Sequence, residues 1–213
     1  MRIQNRIPKT DDRIHLNLVE NEWFPMNEPK SLGVAIALSF PLMILNALIT
    51  IGVINTFSTI SLNEFGLTSD SISITINFVV IIWIFLLIIV HELFHLAFIP
   101  NFIRSQKTFI GLTLFGGYVL TEEEVSKSRY ILVTMAPFVI ISILLPIILS
   151  LLGALTTTFK FLILINSMAS SVDILNLILL LTQVPKKAVL LNNGTKTYWK
   201  YVQNEKYNET KTN

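Results

Sequence analysis

The sequence contains no cysteine, so it can form neither a disulfide nor a thiolate metal site. Any metal in this chain must therefore be held by histidine, aspartate or glutamate side chains. Charge is also scarce, because only 14% of the residues are charged, against roughly one quarter in ordinary soluble domains. A net charge of +2 without a basic stripe gives no support for nucleic-acid binding.

The sequence contains four long apolar segments that are almost free of charged residues. The uncharged runs cover residues 31–63, 71–90, 130–159 and, with Asp173 as the one interruption, 161–183. Each run is long enough for the roughly 20 apolar residues that a membrane-spanning helix needs. The sequence therefore predicts an all-α membrane protein with about four transmembrane helices. The predicted helices cover residues 32–57, 74–99, 128–153 and 159–182.

The basic residues predict how these helices are oriented. All of them except Lys160 lie before the first helix, between the second and the third, or after the fourth. By the positive-inside rule, both termini and the middle loop are predicted to be cytoplasmic, in a multi-pass protein of the cell membrane. We expect a cytoplasmic leader over residues 1–31, a membrane-embedded domain over residues 32–185 and a cytoplasmic tail over residues 186–213.

The loop between the second and third helices predicts a small cytoplasmic β-hairpin. Residues 108–121 (TFIGLTLFGGYVLT) are rich in β-formers, and Gly116-Gly117 can supply a two-residue hairpin turn. Thr121 and Glu124, which follow at once, fit a capping box that would open the third helix. The hairpin should therefore lie at the membrane surface, directly before that helix.

The second helix carries the pattern that says most about chemistry. Its cytoplasmic end reads His91-Glu92-Leu93-Phe94-His95, which is an HExxH motif. Residues i and i+4 share one face of a helix, so both imidazoles can bind one tetrahedral zinc ion (Zn2+), while Glu92 can reach a water beside it as a general base. The alternative, in which the histidines only cap the helix near the lipid headgroups, does not explain Glu92 at this spacing.

A catalytic zinc ion takes three protein ligands, so a third ligand is needed. Asp173 is the best candidate, because it is the only acid in the third or fourth apolar run and lies at a depth similar to that of His91. A hydrogen bond to a neighbouring helix is the alternative role for Asp173. Glu122, Glu123 and Glu124 are rival ligands, but we expect them in the first turn of the third helix, where acids complement the helix dipole.

Three polar residues near Asp173 are predicted to support the site. Asn166 and Ser170 precede the aspartate on its own helix face, and Asn176 follows it by about one turn. Asn166 can donate a hydrogen bond to substrate or to a developing oxyanion. Ordinary packing between helices explains an asparagine at this position equally well. Ser170 is small enough to allow a close helix approach, and Asn176 can support a ligand. His15, in the polar leader, is expected to be solvated.

These motifs resemble two related groups of proteins. HELFH on one membrane helix and an aspartate on a later one resemble the site-2 protease class of intramembrane zinc peptidases, although the proline and glycine of that class's LDG segment are absent here. From about residue 15 to 185, the chain is similar to a bacterial family of zincin membrane peptidases that is described as a domain of unknown function. The resemblance implies that His91, His95 and Asp173 bind zinc and that Glu92 is the catalytic base.

The function expected from these motifs is that of an intramembrane zinc metalloprotease, which hydrolyses peptide bonds of membrane-embedded substrates. The alternatives are a non-catalytic zinc-binding membrane scaffold and a zinc hydrolase of a lipidated chain end or another membrane substrate. Glu92 argues against the scaffold, because a structural zinc site needs no base. The expected partners are the lipid bilayer and a membrane-protein or peptide substrate, and no pattern in the sequence indicates an oligomeric state.

Overall fold

Four helical stretches make up most of the fold. The structure is a computed structural model, and it describes residues 1–4, 6–66, 71, 78–113 and 116–202. Each stretch is long and apolar enough to cross a membrane, which confirms the four predicted spans. The spans are Leu32–Phe57, Phe78–Phe98, Lys127–Leu151 and Thr157–Gln183. The predicted start of the second helix, at residues 74–77, lies outside the described residues. Which side of the membrane each terminus occupies stays a prediction.

The first two spans are single helices and the last two are irregular. The helices are α1 (Asp12–Glu20), α2 (Leu32–Phe57), α3 (Phe78–Phe98), α4 (Lys127–Pro137), α5 (Leu145–Leu151), α6 (Thr157–Ala169) and α7 (Ser171–Gln183). Between α4 and α5 lies a π-helical stretch, Phe138–Leu144, which begins directly after a proline that lacks an amide hydrogen. The fourth span, predicted as one helix, is broken at Ser170 into α6 and α7.

Hydroxyl side chains begin three of the spans. Ser31, Ser126 and Thr156 are the N-cap residues of α2, α4 and α6, and each accepts a hydrogen bond from a backbone amide of the first turn. The capping box predicted from Thr121 and Glu124 is therefore wrong. Thr121 is the last residue of a strand, and the third span begins only after Ser126.

Within the described residues, seven strands form two small sheets, so the predicted all-α class does not hold. The strands are β1 (Arg2–Ile3), β2 (Phe24–Pro25), β3 (Thr108–Thr113), β4 (Gly116–Thr121), β5 (Val125–Ser126), β6 (Ala188–Asn193) and β7 (Lys196–Tyr201). The first sheet has the order β1-β3-β4 and the second has the order β2-β7-β6-β5. β3 and β4 form an antiparallel hairpin between α3 and α4, and β1 pairs with β3 in parallel.

The two glycines of this hairpin do not form its turn, which corrects the prediction. Gly116 pairs with Thr113 and Gly117 pairs with Leu112, so both glycines lie inside β4. The two residues that connect the strands, 114 and 115, lie outside the described residues. The hairpin's place on the cytoplasmic side of the membrane stays a prediction.

The leader and the segment after the fourth span pack together. β2 of the leader pairs with β7, and one face of this second sheet holds a cluster of Leu18, Trp23 and Tyr198. The other face packs Leu190 and Trp199 against the end of α7. The predicted leader and tail thus share one sheet, although the domain boundaries themselves stay a prediction.

Two leader side chains have partners in this sheet. His15 Nδ1 lies 2.8 Å from the Tyr198 hydroxyl, so the expectation of a merely solvated histidine is wrong. The Glu28 carboxylate accepts hydrogen bonds from the Thr197 amide at 2.9 Å and from its hydroxyl at 2.7 Å. Burial raises the pKa of Glu28 above its ordinary value, and the bonds from Thr197 oppose that rise. These contacts attach the leader to β7.

Candidate metal centre

Two imidazoles lie one helical turn apart near the end of α3. His91 Nδ1 lies 2.9 Å from Asn166 Oδ1, and His95 Nδ1 lies 2.7 Å from the carbonyl oxygen of Val133. Both partners are pure acceptors, so each Nδ1 must carry the hydrogen. The Nε2 lone pairs are therefore free to bind a metal, which is the arrangement usual for metal-binding histidines.

Asp173 joins this pair from α7. Its Oδ2 lies 3.3 Å from His91 Nε2, and its Oδ1 lies 3.5 Å from His95 Nε2. Ligand atoms of the three residues lie within 4.8 Å of one another, in the one such cluster found among the described residues. The structure thus brings together the three residues that the sequence predicted as zinc ligands.

The donor set fits zinc. Ligand atoms about 2.0–2.2 Å from a tetrahedral ion lie roughly 3.3–3.6 Å from one another. The two separations between nitrogen and carboxylate oxygen, 3.3 Å and 3.5 Å, fall in this range. Two neutral imidazoles and one carboxylate also leave a fourth coordination position for water, which is typical of catalytic rather than structural zinc sites.

Glu92 lies against the hairpin. Its side chain is only 9% exposed, and a Cβ atom built on Gly117 would overlap its Cγ and lie 2.9 Å from its Oε1. Glycine is therefore required here for β4 to approach α3 closely. The sequence pattern predicted a turn at Gly117 and not this close packing, although a glycine within a β-forming run can indicate a close approach of the backbone.

Asn166 orients the His91 ring. Its Nδ2 donates to the Ser142 hydroxyl at 2.9 Å and to the carbonyl of Pro137 at 3.2 Å, while its Oδ1 accepts from His91. Both amide hydrogens are thus engaged inside the protein, which favours a positioning role over donation to a substrate. Ser170 donates to the carbonyl of Asn166 at 2.9 Å and closes the end of α6.

Two of the three rival ligands have other partners. Glu122 accepts from the amide of Gly194 at 3.1 Å, and Glu123 accepts from the Ser105 hydroxyl at 2.7 Å. Glu124 is exposed and, with Glu123, lines a separate polar pocket. None of the three belongs to the histidine and aspartate cluster. Asp173 does belong to that cluster, and its ranking above the three glutamates as a zinc ligand stays a prediction.

A cavity of about 700 Å³ opens beside the cluster. Its walls come mainly from α2, α3, β4 and the end of α6, and they are mostly apolar, with His91, Glu92, His95 and Asp173 among the polar exceptions. α2 packs on α5, α6 and α7, whereas α3 packs on α4, α6 and β4. Side chains of both α2 and α3 line the cavity, and Asn176 also faces it.

The start of the leader crosses the hairpin and reaches this cavity. The Tyr118 hydroxyl lies within hydrogen-bond distance of the carbonyl oxygens of Gln4, at 2.9 Å, and Arg6, at 2.8 Å, which share its one hydrogen. Ile7 lines the cavity. Gly111 leaves room for the leader, because a Cβ there would overlap the carbonyl oxygen of Gln4. Desolvation raises the pKa of Tyr118, which keeps its phenol protonated as a donor.

The family assignment agrees with this geometry. A family model described as "Putative zincin peptidase" matches residues 84–189, which include HELFH, the break in the fourth span and Asp173. This description agrees with the family that the sequence motifs resemble. Zincins are zinc peptidases that carry the HExxH motif, so the description of the family suggests a zinc metallopeptidase. No curated protein and no solved structure matches the chain.

Proposed function

We propose that the protein is an intramembrane zinc metalloprotease, acting on membrane-embedded substrates in the manner of the site-2 protease class that its motifs resemble. One observation carries the proposal. An HExxH pair and Asp173 meet at distances that suit tetrahedral zinc, beside an apolar cavity between membrane-spanning helices. Ionisable groups at such a depth are costly, and they usually mark function.

The chemistry assigns distinct tasks to the side chains. Zinc held by His91, His95 and Asp173 would polarise a scissile carbonyl and lower the pKa of a water molecule. Glu92 takes a proton from the attacking water as the water oxygen bonds to the carbonyl carbon. Glu92 then returns this proton to the amine nitrogen as the carbon–nitrogen bond breaks. Asn166 keeps the His91 ring in the tautomer that leaves Nε2 free.

The open edge of β4 can hold the substrate. Peptide bonds in a helix are shielded by their own hydrogen bonds, so a helical substrate must unwind before it is cleaved. β4 is the terminal strand of the described sheet, and Gly117 within it touches Glu92. An extended peptide added to this edge would gain backbone hydrogen bonds and pass beside the base.

The second candidate function is hydrolysis of a lipidated chain end. The apolar walls of the cavity favour it, because they could hold an acyl or prenyl chain as well as apolar side chains. The product released from each substrate distinguishes these two reactions. A purely structural zinc scaffold is less well supported, because it gives no task to the buried carboxylate of Glu92.

We also propose that the protein lies in the cell membrane with both termini in the cytoplasm. Lys160, the one basic residue on the other side, lies 2.9 Å from Glu64, so its charge is offset locally. A hydrogen bond from Lys160 lowers the pKa of Glu64, which keeps that carboxylate ionised. Topology reporters fused after Gln183 and near Glu64 should report the cytoplasm and the outside respectively, and an external reporter after Gln183 would reverse the orientation.

The decisive test replaces the base and keeps the ligands. Glu92→Gln preserves size but cannot accept a proton, so zinc content and the thermal unfolding midpoint should stay near those of wild type. Cleavage of a transmembrane reporter peptide in proteoliposomes should fall by a factor of about 10² or more, because general-base catalysis typically contributes that much. Glu124→Gln, at an exposed glutamate outside the cluster, is the matched control.

Two results would overturn this proposal. Wild-type turnover by zinc-loaded Glu92→Gln would remove Glu92 from the mechanism. Failure of the zinc-loaded wild-type protein to cleave any peptide, with release of a lipid group from a lipidated peptide instead, would replace the protease with the second candidate.

A further inference from the structure

We propose that Asn192, on β6, binds the backbone of the extended substrate by accepting a hydrogen bond from one of its peptide N–H groups. This inference rests on the proposed protease function and adds a substrate-binding residue from outside the membrane spans. Asn192 is 8% exposed, and its side chain lines the same cavity as the histidine and aspartate cluster.

The orientation of the Asn192 amide is fixed by its neighbour. Nδ2 donates to the carbonyl oxygen of Thr121 at 2.9 Å, and a carbonyl can only accept, so the amide cannot be reversed without losing this bond. Tyr130 also lines the cavity, and its hydroxyl interacts with the side chains of Asn192 and Thr197. The donor end of Asn192 is thus held inside the protein.

The acceptor atom of the same amide is unpaired among the described residues. Among the described residues, Oδ1 of Asn192 is buried and has no hydrogen-bond partner. Buried polar atoms in folded proteins are nearly always paired, because an unpaired acceptor has lost its hydration without replacement. An unpaired acceptor on a residue that lines a substrate cavity is suited to a donor that arrives with the ligand.

The place of Asn192 along β4 identifies that donor. Thr121, which holds the amide, is the last residue of β4, while Gly117 of the same strand touches Glu92. A strand rises about 3.3 Å per residue, so these two points of β4 lie roughly 13 Å apart. A peptide along the open edge of β4 would present a backbone N–H near Asn192 about four residues from the bond being cleaved.

The next residue provides a matched control. Asn193 has the same side chain, but both ends of its amide are paired with the leader. Its Oδ1 accepts from the Asp11 amide at 3.0 Å, and its Nδ2 donates to the Asp11 carbonyl at 2.8 Å. Asn193 therefore attaches the leader to β6, whereas Asn192 Oδ1 has no hydrogen-bond partner among the described residues.

The experiment compares Asn192→Leu with Asn193→Leu on a series of transmembrane reporter peptides. In each peptide of the series, one backbone amide is replaced by an ester, which removes a single N–H. In wild type, one ester position should raise KM by about five- to tenfold, the effect of one hydrogen bond. Asn192→Leu should raise KM of the all-amide peptide by the same factor, leave kcat and zinc content unchanged, and lose the sensitivity to that ester.

Asn193→Leu should instead lower the thermal unfolding midpoint and keep the ester sensitivity of wild type. A wild-type ester series without a sensitive position, or an Asn192→Leu variant with the KM of wild type, would overturn the inference.

Binding of the same peptides to zinc-loaded Glu92→Gln separates this inference from the proposed function. If wild type cleaves no peptide but Glu92→Gln binds the all-amide peptide, and the added Asn192→Leu change weakens that binding, the binding role stands and the protease is rejected. If zinc-loaded protein neither binds nor cleaves the peptides, both proposals are wrong.

Discussion

The two halves of the metal centre are positioned in different ways. His91 and His95 lie on the unbroken helix α3, where spacing along the chain alone puts them on one face. Asp173 lies in the first turn of α7, directly after the break at Ser170, so its position depends on how that break is held. Local geometry thus positions two of the predicted ligands, and contacts between helices position the third.

The contacts that hold the break come largely from α2, which contributes no metal ligand. Asn46 Nδ2 donates to the carbonyl oxygen of Ser167 at 3.1 Å, and the hydroxyls of Ser39 and Ser171 lie 3.2 Å apart. All four side chains are buried. The first span therefore supports the candidate metal centre indirectly, because it contacts residues on both sides of the break.

The largest expected effect tests whether Asp173 is as necessary for zinc binding as the histidines are. Asp173→Ala should abolish stoichiometric zinc binding, as His95→Ala should. Zinc affinity should fall by more than about a hundredfold, because loss of a residue that only hydrogen-bonds to a metal ligand already lowers affinity by about 10–100-fold. Replacing Glu122, Glu123 and Glu124 together with glutamine should leave zinc near one ion per chain. Elemental analysis of purified protein measures both.

The opposite pattern would break the comparison. If the triple glutamine variant loses zinc while Asp173→Ala retains it, the third ligand belongs to the segment before α4. The tertiary contacts around the break in the fourth span would then have no bearing on the metal.

The same contrast explains what could be predicted from the sequence. The four spans follow from uncharged runs, and HExxH follows from spacing on a single helix. Asp173 could be chosen because few acids lie in apolar runs, which is a property of composition. Each of these predictions uses either local geometry or the cost of charge in a membrane.

Features that depend on contacts between distant segments were missed. Gly117 looked like a turn residue, because nothing near it in sequence reveals that Glu92 packs against it. Residues 188–201 were predicted to be part of a cytoplasmic tail that starts at residue 186, although Gly194, with φ of 57°, provides a turn between two β-forming runs. The break at Ser170 could not be foreseen, because it is stabilised by Asn46 on another helix.

A smaller effect tests whether α2 positions Asp173. Asn46→Leu removes the donor to Ser167 and leaves that carbonyl unpaired at the end of α6. Zinc affinity should fall by about tenfold, less than for Asp173→Ala, because the ligands remain and only their placement is relaxed. Thr50→Val is the matched control. Thr50 is equally buried on α2, one turn away, and its hydroxyl has no hydrogen-bond partner among the described residues.

Two measurements together decide the role of Asn46. Competition with a chelator gives the zinc affinity, and the visible spectrum of the cobalt-substituted protein reports the ligand geometry. Asn46→Leu should change both, whereas Thr50→Val should change neither. If Asn46→Leu lowers the thermal unfolding midpoint of the metal-free protein but leaves the affinity and the cobalt spectrum unchanged, Asn46 stabilises helix packing only. The position of Asp173 would then be set within α7 itself, much as the histidines are set within α3.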